Sequence, residues 1–104
     1  MIITSTETIP GKEVTQILGI ARGSTVRARN FGSDFIAGLK NIVGGEVSEY
    51  TKLQARSREQ ALKRMVDDAQ RLGADAIVNV RFTTSMIMQG MSEILAYGTA
   101  VKIQ

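Results

Sequence analysis

Hydrophobic positions along the 104-residue chain change their spacing several times, and each change marks an element. Ile2 to Ser5 is a short apolar start suited to an edge strand, and Pro10-Gly11 then marks a turn. From Val14 the chain alternates. Val14, Gln16, Leu18 and Ile20 fall on one side, Thr15, Ile17, Gly19 and Ala21 on the other. Gly23 interrupts this run and predicts a bulge or bend, after which Thr25 to Arg29 continue as strand.

At Asn30 the period changes. Phe35, Ile36, Leu39, Ile42 and Val43 form one stripe of a short helix, capped by Asn30 or Ser33 and ended by Gly44-Gly45. Gly38 inside it is either a site of close backbone approach or a tolerated defect. A long helix follows from about Ser48 to Leu72, with Tyr50, Leu53, Leu62, Met65, Val66, Ala69 and Leu72 on its apolar side. Ser57 and Gln60 have capping-box spacing, which leaves a break near Arg56 as an alternative. The lack of glycine or proline between Glu46 and Leu72 favours one helix, stopped by Gly73.

The last third reads as a hairpin. Ala76, Val78, Val80 and Phe82 alternate with Ile77, Asn79, Arg81 and Thr83. Gln89-Gly90 makes the turn, and Leu95, Tyr97, Thr99, Val101 and Ile103 form one face of the return strand. The order β-β-α-α-β-β predicts a single α+β domain over residues 1–104, an antiparallel or mixed sheet with its helices on one face. Ile17, Ile77, Ile87 and Ile94 occupy positions that a half-exposed sheet would keep polar, which predicts burial of the second sheet face against another subunit.

Composition removes more functions than any motif adds. Zero cysteines exclude disulfides and thiolate metal sites; zero histidines remove the usual metal ligand and the usual general base at neutral pH. A net charge of +3 falls short of a dedicated nucleic-acid binder, and the basic residues of the long helix are interleaved with Glu59, Asp67 and Asp68. With no tryptophan and 5% aromatics, a base-stacking platform is not indicated. The first residues have no basic region followed by an apolar stretch, so no signal peptide is predicted. The apolar runs are too short to cross a bilayer, so a cytoplasmic protein is expected.

Chemistry at a metal would have to use oxygen or thioether ligands, which suit calcium, magnesium, manganese or cuprous copper. Met86, Met88 and Met91 crowd the predicted hairpin tip, with Met86 and Met88 on one strand face; they are candidate metal ligands, or else flexible filler of an irregular interface. No serine, lysine or carboxylate stands in a recognisable catalytic arrangement, which makes no case for an enzyme.

Longer stretches carry a resemblance. Val26-Arg27, Phe31-Gly32-x-Asp34, Gly38-Leu39-x-Asn41-Ile42-Val43-Gly44-Gly45-Glu46, Tyr50-Thr51 and the run from Leu72-Gly73-Ala74 to Phe82 resemble the YbjQ-like family, small bacterial and archaeal proteins without established function. The likeness spans nearly the whole chain, and its most specific part is the Gly38–Glu46 segment. It implies an α+β fold of the dodecin-like kind, assembled as a homopentameric ring. A heavy-metal-binding label is often attached to the family, and this chain has no cysteine or histidine to support it. Asp34, Asn41 and Glu46, in and beside the specific segment, are candidate polar groups for a ligand at a subunit interface or central opening; as capping and turn residues they would serve the fold instead. The expected partner is the chain itself, with a small ligand or metal ion as a further one and no cofactor named.

Overall fold

The computed structural model describes residues 1–28 and 48–104, with side chains described for 1–27 and 54–104. The expected short helix around Phe35–Val43, its Gly44-Gly45 stop, and Asp34, Asn41 and Glu46 lie outside the described residues. Within them run β1 (Ile2–Ile3), β2 (Val14–Ala28), α1 (Ser48–Arg71), β3 (Ala76–Met88) and β4 (Met91–Ile103).

The four strands form one mixed sheet in the order β1-β3-β4-β2. The β3–β4 hairpin is its centre, β2 pairs antiparallel with β4, and β1 adds parallel to β3. The N-terminal segment continues along β3 beyond β1. Thr4 donates its N–H to the Ile77 carbonyl, Val80 donates to Thr4, and Asn79 donates to Thr6.

Helix α1 is unbroken, so Ser57 and Gln60 do not cap a second helix. It packs mainly on β2 and β4 and runs antiparallel to β2, since Asp68 meets Arg22, Arg64 meets Ser24 and Ser57 meets Arg27. Its seam is Ser57, Ala61, Met65 and Ala69, one residue every fourth position and all fully buried. Leu62, Val66 and Leu72, expected on the apolar side, flank that seam half-buried. Small side chains at the seam bring helix and sheet close, and Ala21, Gly23, Ala96 and Ala100 do the same from below, while Gly98 leaves room for Ile77 and Val80 of β3.

That closeness corrects the reading of Gly23. It pairs with Ala96 in a regular ladder, with no bulge or bend. The position needs glycine because the helix backbone rests on it. The irregularities of β2 lie earlier, between Val14 and Gln16 and between Ile17 and Gly19.

The alternation expected in β3 also breaks. Val78 pairs with Thr99 but Arg81 with Tyr97, so two residues, Asn79 and Val80, stand opposite Gly98 alone. Asn79 takes φ 55°, the left-handed conformation. The bulge puts Val80 with Ile77 in the core beneath the helix, while Ala76 and Val78 pack with Val101 on the opposite face, covered by Ile9 and Ile103. Ile77 and Ile94, expected on the second face, are therefore buried under α1. Ile17 and Ile87 remain exposed.

Candidate functional site: the hairpin arm and the sheet edges

Helix α1 packs mainly on β2, so among the described residues little lies over the far half of the β3–β4 hairpin. Every residue from Arg81 to Gln89 is exposed. Gly90, at φ 78°, closes the expected Gln89-Gly90 turn. Met88 stands opposite Met91, and Met86 opposite Ser92, with a register shift at Ile87 between them. The three methionines thus gather at one tip. Met86 is 80% exposed, Met88 is exposed and Met91 is half-buried. Among the described residues no three Asp or Glu side chains converge to hold a cation, so an ion bound here would take thioether ligands.

The larger feature is apolar surface, of which the sequence pattern singles out Ile17 and Ile87 but not Ile20, Val26 or Phe82. Ile17 and Ile20 on β2 are 71% and 67% exposed, and Val26, Phe82, Ile87 and Met88 also face outward. Direct cross-strand pairing puts Phe82 and Met86 on the helix side of the sheet, in the rows of Gly23–Ala96 and Arg27–Ser92. Ile20 shares a row with Thr99 and Val78 on the other side. The helix-side face near the hairpin and the opposite face near the start of β2 are left apolar. Ile20 and Phe82 were hard to find from sequence because each sits in an alternating run that reads equally well as buried.

Charged groups concentrate on the opposite flank, where α1 meets the outer edge of β2. Asp68 accepts the Arg22 backbone N–H at 3.0 Å and pairs with Arg71. The Arg71 hydrogen bond first, and the Arg22 amide second, hold the Asp68 carboxyl below the usual carboxylate value. One turn earlier, Arg64 donates to the Ser24 carbonyl at 2.6 Å. Arg27 donates Nε–H to Ser57 Oγ and Nη2–H to Gln60 Oε1, both at 2.9 Å. The Ser57–Gln60 spacing that resembles a cap is a two-point clamp on Arg27. Thr25, in the same strand, buries its hydroxyl without a hydrogen-bond partner among the described residues.

The family whose description is "Putative heavy-metal-binding", YbjQ, matches residues 1–104. The chain belongs to the YbjQ-like family. Similar members are the UPF0145 protein of Methanosarcina acetivorans, 60% identical over 103 residues (99% of this chain, 97% of that one), and that of Archaeoglobus fulgidus, 59% identical over 104 residues (100% and 96%). The UPF0145 protein of Vibrio campbellii is 54% identical over 103 residues, 99% of each chain. A Pediococcus pentosaceus protein of unknown function, of the DUF74 family, has a crystal structure similar to this fold. Its TM-score is 0.65 at 15% identity, covering 100% of this chain and 98% of that one. That likeness concerns the α+β fold alone. No helix among the described residues is long and apolar enough to cross a membrane.

Proposed function

We propose that this YbjQ-like protein is a cytoplasmic homo-oligomeric binding or structural protein, pentameric as the family resemblance implies. A ligand, where there is one, would sit at a subunit interface or central opening, with Asp34, Asn41 and Glu46 as candidate polar groups. The carrying observation is the exposure of Ile17, Ile20 and Met86 on opposite sides of one sheet. Scattered single apolar residues need no partner, but these flank sheet edges and recur on both faces, the pattern of surface that association buries. A stacked or ring-like assembly would bury this surface without altering the core beneath α1.

The second reading is metal binding at the Met86, Met88 and Met91 tip or through surface carboxylates, favoured by the exposure of Met86 and Met88 beside the Met88–Met91 pair. With neither cysteine nor histidine in the chain, such a site would favour cuprous copper over zinc. Native mass spectrometry after incubation with copper, zinc, calcium and magnesium tests both. A metal-free oligomer supports the first reading and sinks the second; a monomer sinks the first. Should Asn41→Ala and Glu46→Ala lower stability yet leave ligand binding unchanged, those positions serve the fold alone.

A further inference from the structure

The two outer edges of the sheet are protected unequally along their length. On β2, the outward N–H of Arg22 is taken by Asp68 and the carbonyl of Ser24 by Arg64, so the helix blocks that stretch. The earlier stretch, Val14–Ile20, receives no such cover among the described residues, and Ile17 and Ile20 project from it. On β3, β1 and Thr4–Thr6 occupy the edge from Ala76 to Val80. From Arg81 to Met88 the described residues leave it bare.

That eight-residue stretch, Arg-Phe-Thr-Thr-Ser-Met-Ile-Met, lacks the devices that keep strand edges apart in solution. It has no proline, no lysine and no charge after Arg81, and it is rich in residues that favour strands. An uncovered edge of this composition is a template for another strand.

We infer that the Arg81–Met88 edge of β3 pairs with the Val14–Ile20 edge of β2 in a second copy of this chain. The inference rests on the self-assembly reading above and names the joint. β2 and β3 both run antiparallel to β4, hence parallel to each other, so a second copy that continues the sheet in the same sense brings them together in parallel. The two bare stretches have similar lengths, and they lie on opposite edges. A joint between two copies of the β3 edge would leave the β2 edge at Ile17 and Ile20 unpaired; the head-to-tail joint takes up both edges at once and gives each apolar set a neighbouring strand on its own face. Because β2 contributes its start and β3 its end, neighbouring copies are staggered along the strands, as tilted strands are in closed barrels. Such a joint is heterologous: each copy gives one edge and receives the other, and it closes as a ring when the rotation per copy allows.

The test uses two double variants at exposed positions, Thr84→Lys/Met86→Lys on β3 and Ile17→Lys/Ile20→Lys on β2. Circular dichroism and thermal melting establish that each remains folded, and native mass spectrometry counts subunits without added metal. The expected result is an oligomeric wild type, a monomer for each variant alone, and a heterodimer with nothing larger when the two are mixed. One intact joint survives in that mixture, and only one. If either variant assembles alone as the wild type does, or if the mixture stays monomeric while the wild type assembles, this joint is wrong and the assembly reading stands. A monomeric wild type removes the assembly reading itself, and the joint with it.

Discussion

Gly23 lies directly beneath the helix backbone at Met65: a Cβ built on Gly23 would fall against the Met65 amide nitrogen, 2.5 Å from the Ala61 carbonyl oxygen and 2.6 Å from the Arg64 carbonyl carbon. All three obstacles are main chain, so no side chain can swing aside. Gly23→Ala must lift α1 off β2, which disturbs Met65, Ala61 and Ala69 together. At Gly98 the nearest obstacle is the Ile77 Cγ2 at 2.7 Å, with the Val78 carbonyl oxygen at 3.0 Å. We expect Gly23→Ala to cost about 3 kcal/mol or more, at the upper end of overpacking, and Gly98→Ala roughly half of that. Urea unfolding of both variants measures the difference. Equal losses would show that α1 yields as easily as a methyl group does.

Asp68 links the helix to the β2 edge through a titrating group. Its folded pKa is depressed by Arg71 and then by the Arg22 amide, so the charged form is favoured in the native state. The stability this provides is complete above the usual value of 3.8 and is lost as pH falls through the lower folded value. Asp68→Asn keeps an oxygen to accept the Arg22 N–H and removes the titration. The stability gap between wild type and Asp68→Asn should hold steady from about pH 7 to pH 5 and narrow as pH drops below about 4. Urea midpoints across that range read it directly; a gap that is flat down to pH 2 would contradict the assignment.

Arg27 is held by Ser57 and Gln60 together, which predicts that their contributions are coupled. A hydrogen bond to a charged group contributes about 1.5–3 kcal/mol, less where water has access, and the Arg27 side of the clamp is half-buried. Gln60→Ala should cost about 1 kcal/mol in the wild type and only a few tenths with Arg27→Met already present. A double-mutant cycle at these two positions gives the coupling energy. Additive losses would mean the Nη2 contact contributes nothing in solution.

The elements that the sequence revealed best are those whose patterns are long and unopposed. Helix α1 spans 24 residues, and its glycine stop at Gly73 sits where the chain turns with φ 81°. The hairpin and its Gln89-Gly90 turn are legible from strand alternation and a glycine turn, although the alternation of β3 fails at Asn79. What misled was chemistry shared by two causes. Gly23 signals a strand interruption or a close approach with the same residue, and only the position of α1 decides between them. Ser57 and Gln60 have the spacing of a cap and the spacing of neighbours on one helix face; Arg27, 30 residues from Ser57, selects the second. The metal candidates at the tip were placed on a hairpin end by pattern alone, and the Met88–Met91 pairing is a matter of register that composition does not carry.

Asn79 shows how one residue decides which face a strand presents, and it supplies a sharp prediction. Its φ of 55° builds the bulge that moves Val80 from the side of Ala76 and Val78 to the side of Ile77. Its amide still bonds to Thr6, so the bulge also anchors the N-terminal segment. Glycine adopts this conformation freely, and asparagine better than most other residues, whereas a β-branched side chain is crowded in it. Asn79→Gly should therefore change stability by less than about 0.5 kcal/mol. Asn79→Val should cost roughly 1–2 kcal/mol and favour a regular ladder, which would turn Val80 out of the core beneath α1. Thermal unfolding measures the cost, and the methyl resonances of Val80 and Ile77 report whether the two still pack together. A valine variant as stable as the glycine variant, with those resonances unmoved, would show that the bulge is held by its surroundings and not by Asn79.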